Sequence, residues 1–219
     1  MTLHTFKNHS DWLNASVDMI AAACKSGAAI VLAGGNTPKP VYEALAKKDG
    51  LNFSGVQFFQ TDERYVSAND ERSNQGMIQE AIKPALDNGA TFVHLDTAKP
   101  IPDALSEYEE KIKSALPFSL VVLGMGEDGH VASLFRRGSS LHEETKLTAN
   151  THTYEFDVYE RLTLTFPAIM SAKKLLLLLS GKKKQEALDQ LFNKEFSVDD
   201  FPAKKLLEHP DLTIHFADV

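Results

Sequence analysis

SLVVLGMGEDGHVASLF, residues Ser119 to Phe135, sets the reading of the whole chain. Leu120 to Leu123 form a short apolar, β-branched run, the pattern of a strand buried on both faces, and Gly124, Gly126 and Gly129 then break it into a turn. Inside that turn stand Glu127, Asp128 and His130. In an α/β protein a glycine turn at a strand end exposes backbone N–H groups, so a titratable pair held there marks a candidate active site.

Outward from this segment the strand, turn and helix pattern recurs. Ala28 to Leu32 is an apolar strand running into Ala33-Gly34-Gly35-Asn36-Thr37-Pro38, and Pro38 suits the first turn of a helix through Tyr42 and Leu45. That is an arrangement able to bind phosphate. Val56 to Phe59 predicts a second strand ending in Thr61-Asp62-Glu63-Arg64-Tyr65. Further helices are predicted from Ser10 or Asp11 to about Lys25, from Asn74 to about Leu86 with a kink or split at Pro84, and from Ala104 to Leu116. Thr91 to Leu95 predicts a third strand.

Beyond Phe135 the pattern changes. Arg136 to Asn150 predicts an irregular connection, Glu155 to Thr165 one or two strands, and Ala168 to Lys173 a short helix. Lys174 to Leu179 follows as a buried strand, Gly181 precedes a helix through Phe192, and Thr213 to Ala217 is the last strand. The alternation predicts an α/β fold, a mostly parallel, doubly wound (Rossmann-like) sheet with helices on both faces, and residues 1–219 as a single domain.

Composition narrows the function. A formal net charge of −7 argues against a field-driven nucleic-acid binder while leaving room for a local basic pocket. Cys24, the only cysteine, sits beside the small apolar run Ala21 to Ala23 and reads as a core thiol, so disulfides and cysteine-rich zinc sites are excluded. MTLHTFKNHSDW lacks the regions of a signal peptide, and the leucine run Leu175 to Leu179 is far below the ~20 residues of a membrane span. A cytoplasmic protein with no membrane or nucleic-acid partner is the expectation.

The turn glycines satisfy G-x-G-x-x-G, the dinucleotide fingerprint. They lie past the middle of the chain, Glu127 and Asp128 would repel a pyrophosphate, and no acidic residue follows at the required spacing. No nicotinamide cofactor is therefore expected. His130 reads either as a proton acceptor oriented by Asp128 or as a cap for the next helix. Asp62 and Glu63 are open to three readings: acid–base groups, metal ligands, or partners of Arg64, the last suiting Glu63 better. Arg64 at a strand end and Arg161 at a strand start can each present a planar fork to a phosphate. Lys182, Lys183 and Lys184 stand at a helix start, where like charge opposes the dipole unless an anion is present.

Together these stretches resemble the 6-phosphogluconolactonase family. Its marks are a GG-[ST]-TP turn, a DER-x-V segment, a G-x-G-x-DGH-x-ASLF block, an R-[IL]-T-L-T strand and a later G-x-x-K. Here they read Gly34 to Pro38, Asp62 to Val66, Gly124 to Phe135, Arg161 to Thr165 and Gly181 to Lys184. The resemblance implies metal-free hydrolysis of 6-phospho-D-glucono-1,5-lactone to 6-phosphogluconate in the oxidative pentose phosphate pathway, with no cofactor, by a monomer or small homo-oligomer. His130 with Asp128 would be the base pair. Arg64, Arg161 and Lys184 would take the phosphate, while Gly34, Gly35, Asn36, Thr37, Asp62 and Gly126 would line the substrate site. Asn36, Arg136 and Met170 depart from the pattern, standing where the family usually has Ser or Thr, proline and asparagine.

Two other readings are distinguishable. A glucosamine-6-phosphate deaminase/isomerase shares the DGH turn but continues it as I-A-F-N-E-P, whereas this chain has Val131-Ala132-Ser133-Leu134-Phe135. A sugar-phosphate sensor in a transcription regulator would carry a helix-turn-helix, for which the chain has no room before its first strand.

Overall fold

The computed structural model describes residues 1–218. Seven strands form one parallel sheet: β1 (Thr2–Phe6), β2 (Ala29–Leu32), β3 (Gln57–Gln60), β5 (Thr91–Val93), β6 (Leu120–Leu123), β9 (Leu175–Ser180) and β10 (Leu212–Ala217). Their order is β1-β10-β9-β6-β2-β3-β5. From β2 the chain adds β3 and then β5 on one side, and from β6 it adds β9 and β10 on the other. The connections leaving β2 and β6 diverge above the carboxyl ends of two neighbouring strands, which opens a crevice there.

The apolar runs are unbroken because both faces are covered. Along β6, Leu120 and Val122 join Ile30, Leu32, Leu176 and Leu178 in one core with Trp12, Val17 and Ile20 of α1 (His9–Ala23). Val121 and Leu123 join Val31, Leu175 and Leu177 in the other, against Tyr108 and Ile112 of α5 (Ile101–Ala115) and Leu188 and Leu191 of α7 (Lys183–Phe192). Successive residues point to opposite faces, so each strand feeds two layers. Cys24 lies in the α1 core, where burial pushes its thiol up to about 12, as a core thiol requires.

Several elements depart from the sequence reading. α1 starts earlier and is capped by Asn8, whose side chain accepts from the Asp11 N–H, rather than by Ser10 or Asp11. The Asn74 helix, by contrast, splits as expected at Pro84, into α3 (Asn74–Ala81) and α4 (Lys83–Asp87), since the Pro84 ring collides with the carbonyl four residues back. α2 (Lys39–Ala46) ends one residue past the expected Leu45, and α6 (Phe166–Met170) starts two residues before and ends three before the expected Ala168 to Lys173. β1 had no counterpart, because its exposed side chains show no alternation into a core. Residues Pro202–Glu208 form a 3₁₀ turn that was likewise unforeseen.

The largest departure is a second sheet. β4 (Asp62–Arg64), β8 (Glu160–Leu164) and β7 (Thr148–His152) pair antiparallel in the order β4-β8-β7. Strand β4 takes Asp62 to Arg64 from the polar cluster expected only to end the second strand, and β7 begins inside the connection expected to be irregular. Among the described residues, no helix is long and apolar enough to cross a membrane.

Candidate active site

The crevice above β2 and β6 is a cleft of about 710 Å³. The residues that the family resemblance assigns to the site all line it. Gly34, Gly35, Asn36 and Thr37 form one rim after β2; Gly126, Asp128 and His130 follow β6; Asp62, Arg64 and Arg161 come from the small sheet; Lys184 comes from α7.

The turn after β6 is self-contained. The Gly126 N–H donates to the His130 carbonyl at 2.9 Å and the Gly129 N–H to the Gly126 carbonyl at 3.2 Å, closing a tight loop. His130 Nδ1 sits 2.6 Å from Asp128 Oδ1, with both side chains largely shielded. Burial alone would raise the Asp128 carboxyl, but the hydrogen bond and charge of His130 outweigh it and hold it below the usual carboxylate range. A Cβ on Gly126 would fall 2.2 Å from His130 Nδ1 and 2.3 Å from Asp128 Oδ1, so only glycine lets the two side chains meet. No helix follows at once, which removes both the helix-cap reading of His130 and the context a dinucleotide fingerprint needs. With Nδ1 committed to Asp128, Nε2 is the nitrogen left for chemistry.

The facing wall obeys strand arithmetic. Arg64 and Arg161 are directly paired in the β4–β8 ladder, as are Asp62 and Thr163, so these four side chains share one face. Glu63 points to the opposite one. Its buried carboxylate accepts from the N–H groups of Arg64 (2.7 Å), Asn74 (2.7 Å) and Gln75 (2.6 Å) and from the Ser73 hydroxyl (3.1 Å). Burial raises its pKa while the N–H bonds oppose that. The pairing of Glu63 with Arg64 anticipated from sequence is therefore wrong: Glu63 ties down the start of α3. Asp62 does not pair with Arg64 either, its oxygens accepting from the Thr61 and Ser133 hydroxyls, both at 2.6 Å.

Among the described residues, the two arginines thus form no ion pair with a carboxylate. Arg161 is only 5% exposed, and its Nε donates to the Val158 carbonyl at 3.0 Å. Burial and the neighbouring Arg64 charge both lower its pKa. Arg64 donates to the Arg72 carbonyl at 2.5 Å. Two adjacent guanidiniums without a counter-ion suit an anion from outside the protein. Lys184 stands on the β6 side, its Nζ donating to the Met125 carbonyl at 2.7 Å; burial lowers its pKa, while Glu127 and Asp128 oppose the shift. Lys182 and Lys183 remain in solvent.

At the β2 rim the N–H groups of Gly35, Asn36 and Thr37 donate to no protein acceptor among the described residues. A Cβ on Gly34 would lie 2.0 Å from Asn74 Oδ1, so the carboxamide packs directly on the glycine backbone. Asn74, Ser133, Phe135 and Phe156 line the cleft without having been foreseen. Ser133 and Phe135 lay inside the quoted block, but their spacing carried no chemical signal. Phe156 lay in a stretch with no motif at all. No group of three or more His, Cys, Asp or Glu side chains among the described residues is arranged to hold a metal ion.

Residues 8–214 match the family described as glucosamine-6-phosphate isomerases/6-phosphogluconolactonase. A 6-phosphogluconolactonase from Synechocystis sp. is 35% identical over 194 residues, covering 84% of this chain and 79% of the relative. One from Thermotoga maritima is 38% identical over 164 residues, covering 74% and 73%. The crystal structure of the Thermotoga maritima 6-phosphogluconolactonase superposes with a TM-score of 0.85 at 30% identity, covering 100% of this chain and 99% of that one. A 6-phosphogluconolactonase structure from Shewanella baltica reaches 0.90 at 24% identity, covering 100% and 98%, and shares the fold. With the match extending across both sheets and the whole cleft, the chain belongs to the glucosamine-6-phosphate isomerase/6-phosphogluconolactonase family.

Proposed function

We propose that the protein hydrolyses 6-phospho-D-glucono-1,5-lactone to 6-phosphogluconate, with water as the nucleophile. The observation that carries this reading is the division of the cleft. One wall holds an imidazole whose second nitrogen is free, and the other holds two arginines without a carboxylate partner. Phe156 neighbours both, its ring 5.4 Å from the His130 ring and 5.9 Å from Arg161 Cζ.

In this reading Arg64 and Arg161, with Lys184 from the facing wall, hold the 6-phosphate and use its binding energy to place the lactone. His130 Nε2 takes a proton from water as the oxygen attacks the C1 carbonyl. Asp128 fixes the ring orientation and stabilises the imidazolium. The tetrahedral intermediate then collapses, the bond from C1 to the ring oxygen breaks, and the imidazolium returns its proton to the departing oxygen. Free N–H groups of the Gly35 to Thr37 turn are placed to bind substrate oxygens. A six-membered lactone is an activated ester, so a positioned base and an oriented substrate suffice without a covalent nucleophile.

The test follows freshly generated 6-phosphogluconolactone against its spontaneous hydrolysis, with unphosphorylated glucono-1,5-lactone in parallel. Fast turnover selective for the phosphorylated lactone is expected. No acceleration by folded protein, or release of ammonia from glucosamine 6-phosphate at a comparable rate, would overturn the proposal.

A further inference from the structure

His130 is tethered by a hydrogen bond at one nitrogen only, and a ring pinned at one atom can still swing about that contact. Two phenyl rings flank it, and one of them, Phe156, is itself 45% exposed. Phe135 lies 5.2 Å from the imidazole at an interplanar angle of 49°, and Phe156 lies 5.4 Å away at 70°. The two phenyls are themselves 6.0 Å apart. All three separations fall in the range of ordinary aromatic pairs. Phe135 belongs to the His130 block, but Phe156 arrives from elsewhere, on the hairpin tip between β7 and β8.

That tip is held at both ends. At its base the Thr153 N–H donates to the Tyr159 carbonyl at 3.1 Å, and the His152 and Tyr159 rings stack 5.0 Å apart. Toward the cleft, Arg136 Nη2 donates to Glu155 Oε1 at 2.7 Å. Both members of that pair are about half exposed, so it adds little to global stability. What it does is tie the residue before Phe156 to the residue after Phe135. Arg136, a departure from the family pattern, acquires a purpose here that the lactonase reading alone does not give it.

We infer that Phe156 is a positioning residue for His130, seated by the Arg136–Glu155 ion pair, which acts as a latch on the hairpin. The inference rests on the proposed lactonase mechanism with His130 as base. Phe156 also faces the Arg161 guanidinium, so it could instead serve phosphate binding, and kinetics separate the two roles. A residue that orients the base lowers kcat, whereas one that supports phosphate binding raises KM.

The experiment compares Phe156→Ala, Phe156→Tyr, Arg136→Glu, Glu155→Arg and the double charge swap, with thermal melting to verify folding. Phe156→Ala should lower kcat roughly tenfold with a much smaller change in KM, and Phe156→Tyr should recover most of the loss. Each single charge change should lower kcat in the same direction, and the double swap should restore it. The NMR resonances of the His130 ring, shifted by the adjacent phenyls, should move in Phe156→Ala and in both single charge variants and return in the double swap. Unchanged kcat in Phe156→Ala, a rise in KM alone, or a double swap that restores neither rate nor resonance would overturn the inference. Should the wild type fail to hydrolyse the lactone, the functional reading falls by itself, and the resonances still decide whether the latch seats Phe156 on His130.

Discussion

Two histidines separate the cleft from the scaffold. His130 and His215 each hold an oxygen at Nδ1, the Asp128 carboxylate at 2.6 Å and the Ser16 hydroxyl at 2.9 Å. The Ser16 hydroxyl already donates to the Trp12 carbonyl at 2.7 Å, so it accepts from His215, and the Trp12 indole N–H donates to the His215 carbonyl at 3.1 Å. His215 is a neutral tie between α1 and β10, and burial together with the nearby His4 holds its pKa down to about 4. His130 instead has a charged partner and a place on the cleft. The same one-nitrogen tether thus occurs in two settings, a contact to a neutral hydroxyl inside the scaffold and a contact to a carboxylate on the cleft. The contrast repeats among the charges: Glu63 is saturated by backbone N–H groups, whereas Arg161 is left without a carboxylate.

The sharpest way to break this contrast is to delete each imidazole. His130→Ala should lower kcat by roughly a hundred- to ten-thousand-fold, the range of general-base catalysis, with KM and melting temperature nearly unchanged. Steady-state kinetics beside a thermal melt read both quantities. A variant that turns over at the wild-type rate removes His130 from the chemistry and leaves the two histidines equivalent.

The sequence made one of these histidines visible and not the other for a physical reason. Asp128, Gly126 and His130 meet within five residues, so spacing alone carried the geometry, and the alternation of strands and helices carried the parallel sheet. His215 meets Ser16 across 199 positions, and nothing in Thr213 to Ala217 distinguishes it from an ordinary strand. The small antiparallel sheet was hidden in the same way. Asp62 to Arg64 is too short and too polar to show a period of two until β8 pairs with it, so the adjacency of Arg64 and Arg161 emerged only from the ladder, and the partners of Glu63 only from the packing of β4 against the start of α3.

Acid should divide the histidines a second time. Free histidine titrates near 6.5, whereas His215 in the fold does so near 4. Between those values the unfolded chain binds a proton that the folded chain does not, so stability falls as pH drops through that window, by up to about 3 kcal/mol. Urea unfolding from pH 7 to pH 4.5 should show a steeper loss in wild type than in His215→Gln, while the variant keeps its kcat at pH 7. Equal slopes would mean that the acid response arises elsewhere and not from the protonation of His215.

The smallest expected effect tests whether the unpaired arginine is kept for a ligand. A charge-assisted hydrogen bond contributes about 1.5 to 3 kcal/mol, so Arg161→Ala should raise KM for the phosphorylated lactone by roughly ten- to a hundredfold and leave turnover of glucono-1,5-lactone largely untouched. Its effect on folding should be slight or even favourable, because removing the guanidinium also removes its repulsion with Arg64. Inorganic phosphate supplies the missing counter-ion, so it should raise the melting temperature of wild type by mass action and do so less in the variant. If Arg161→Ala instead lost stability without phosphate and kept its KM, Arg161 would belong with Glu63 as a satisfied part of the scaffold, and the phosphate would have to sit elsewhere in the cleft.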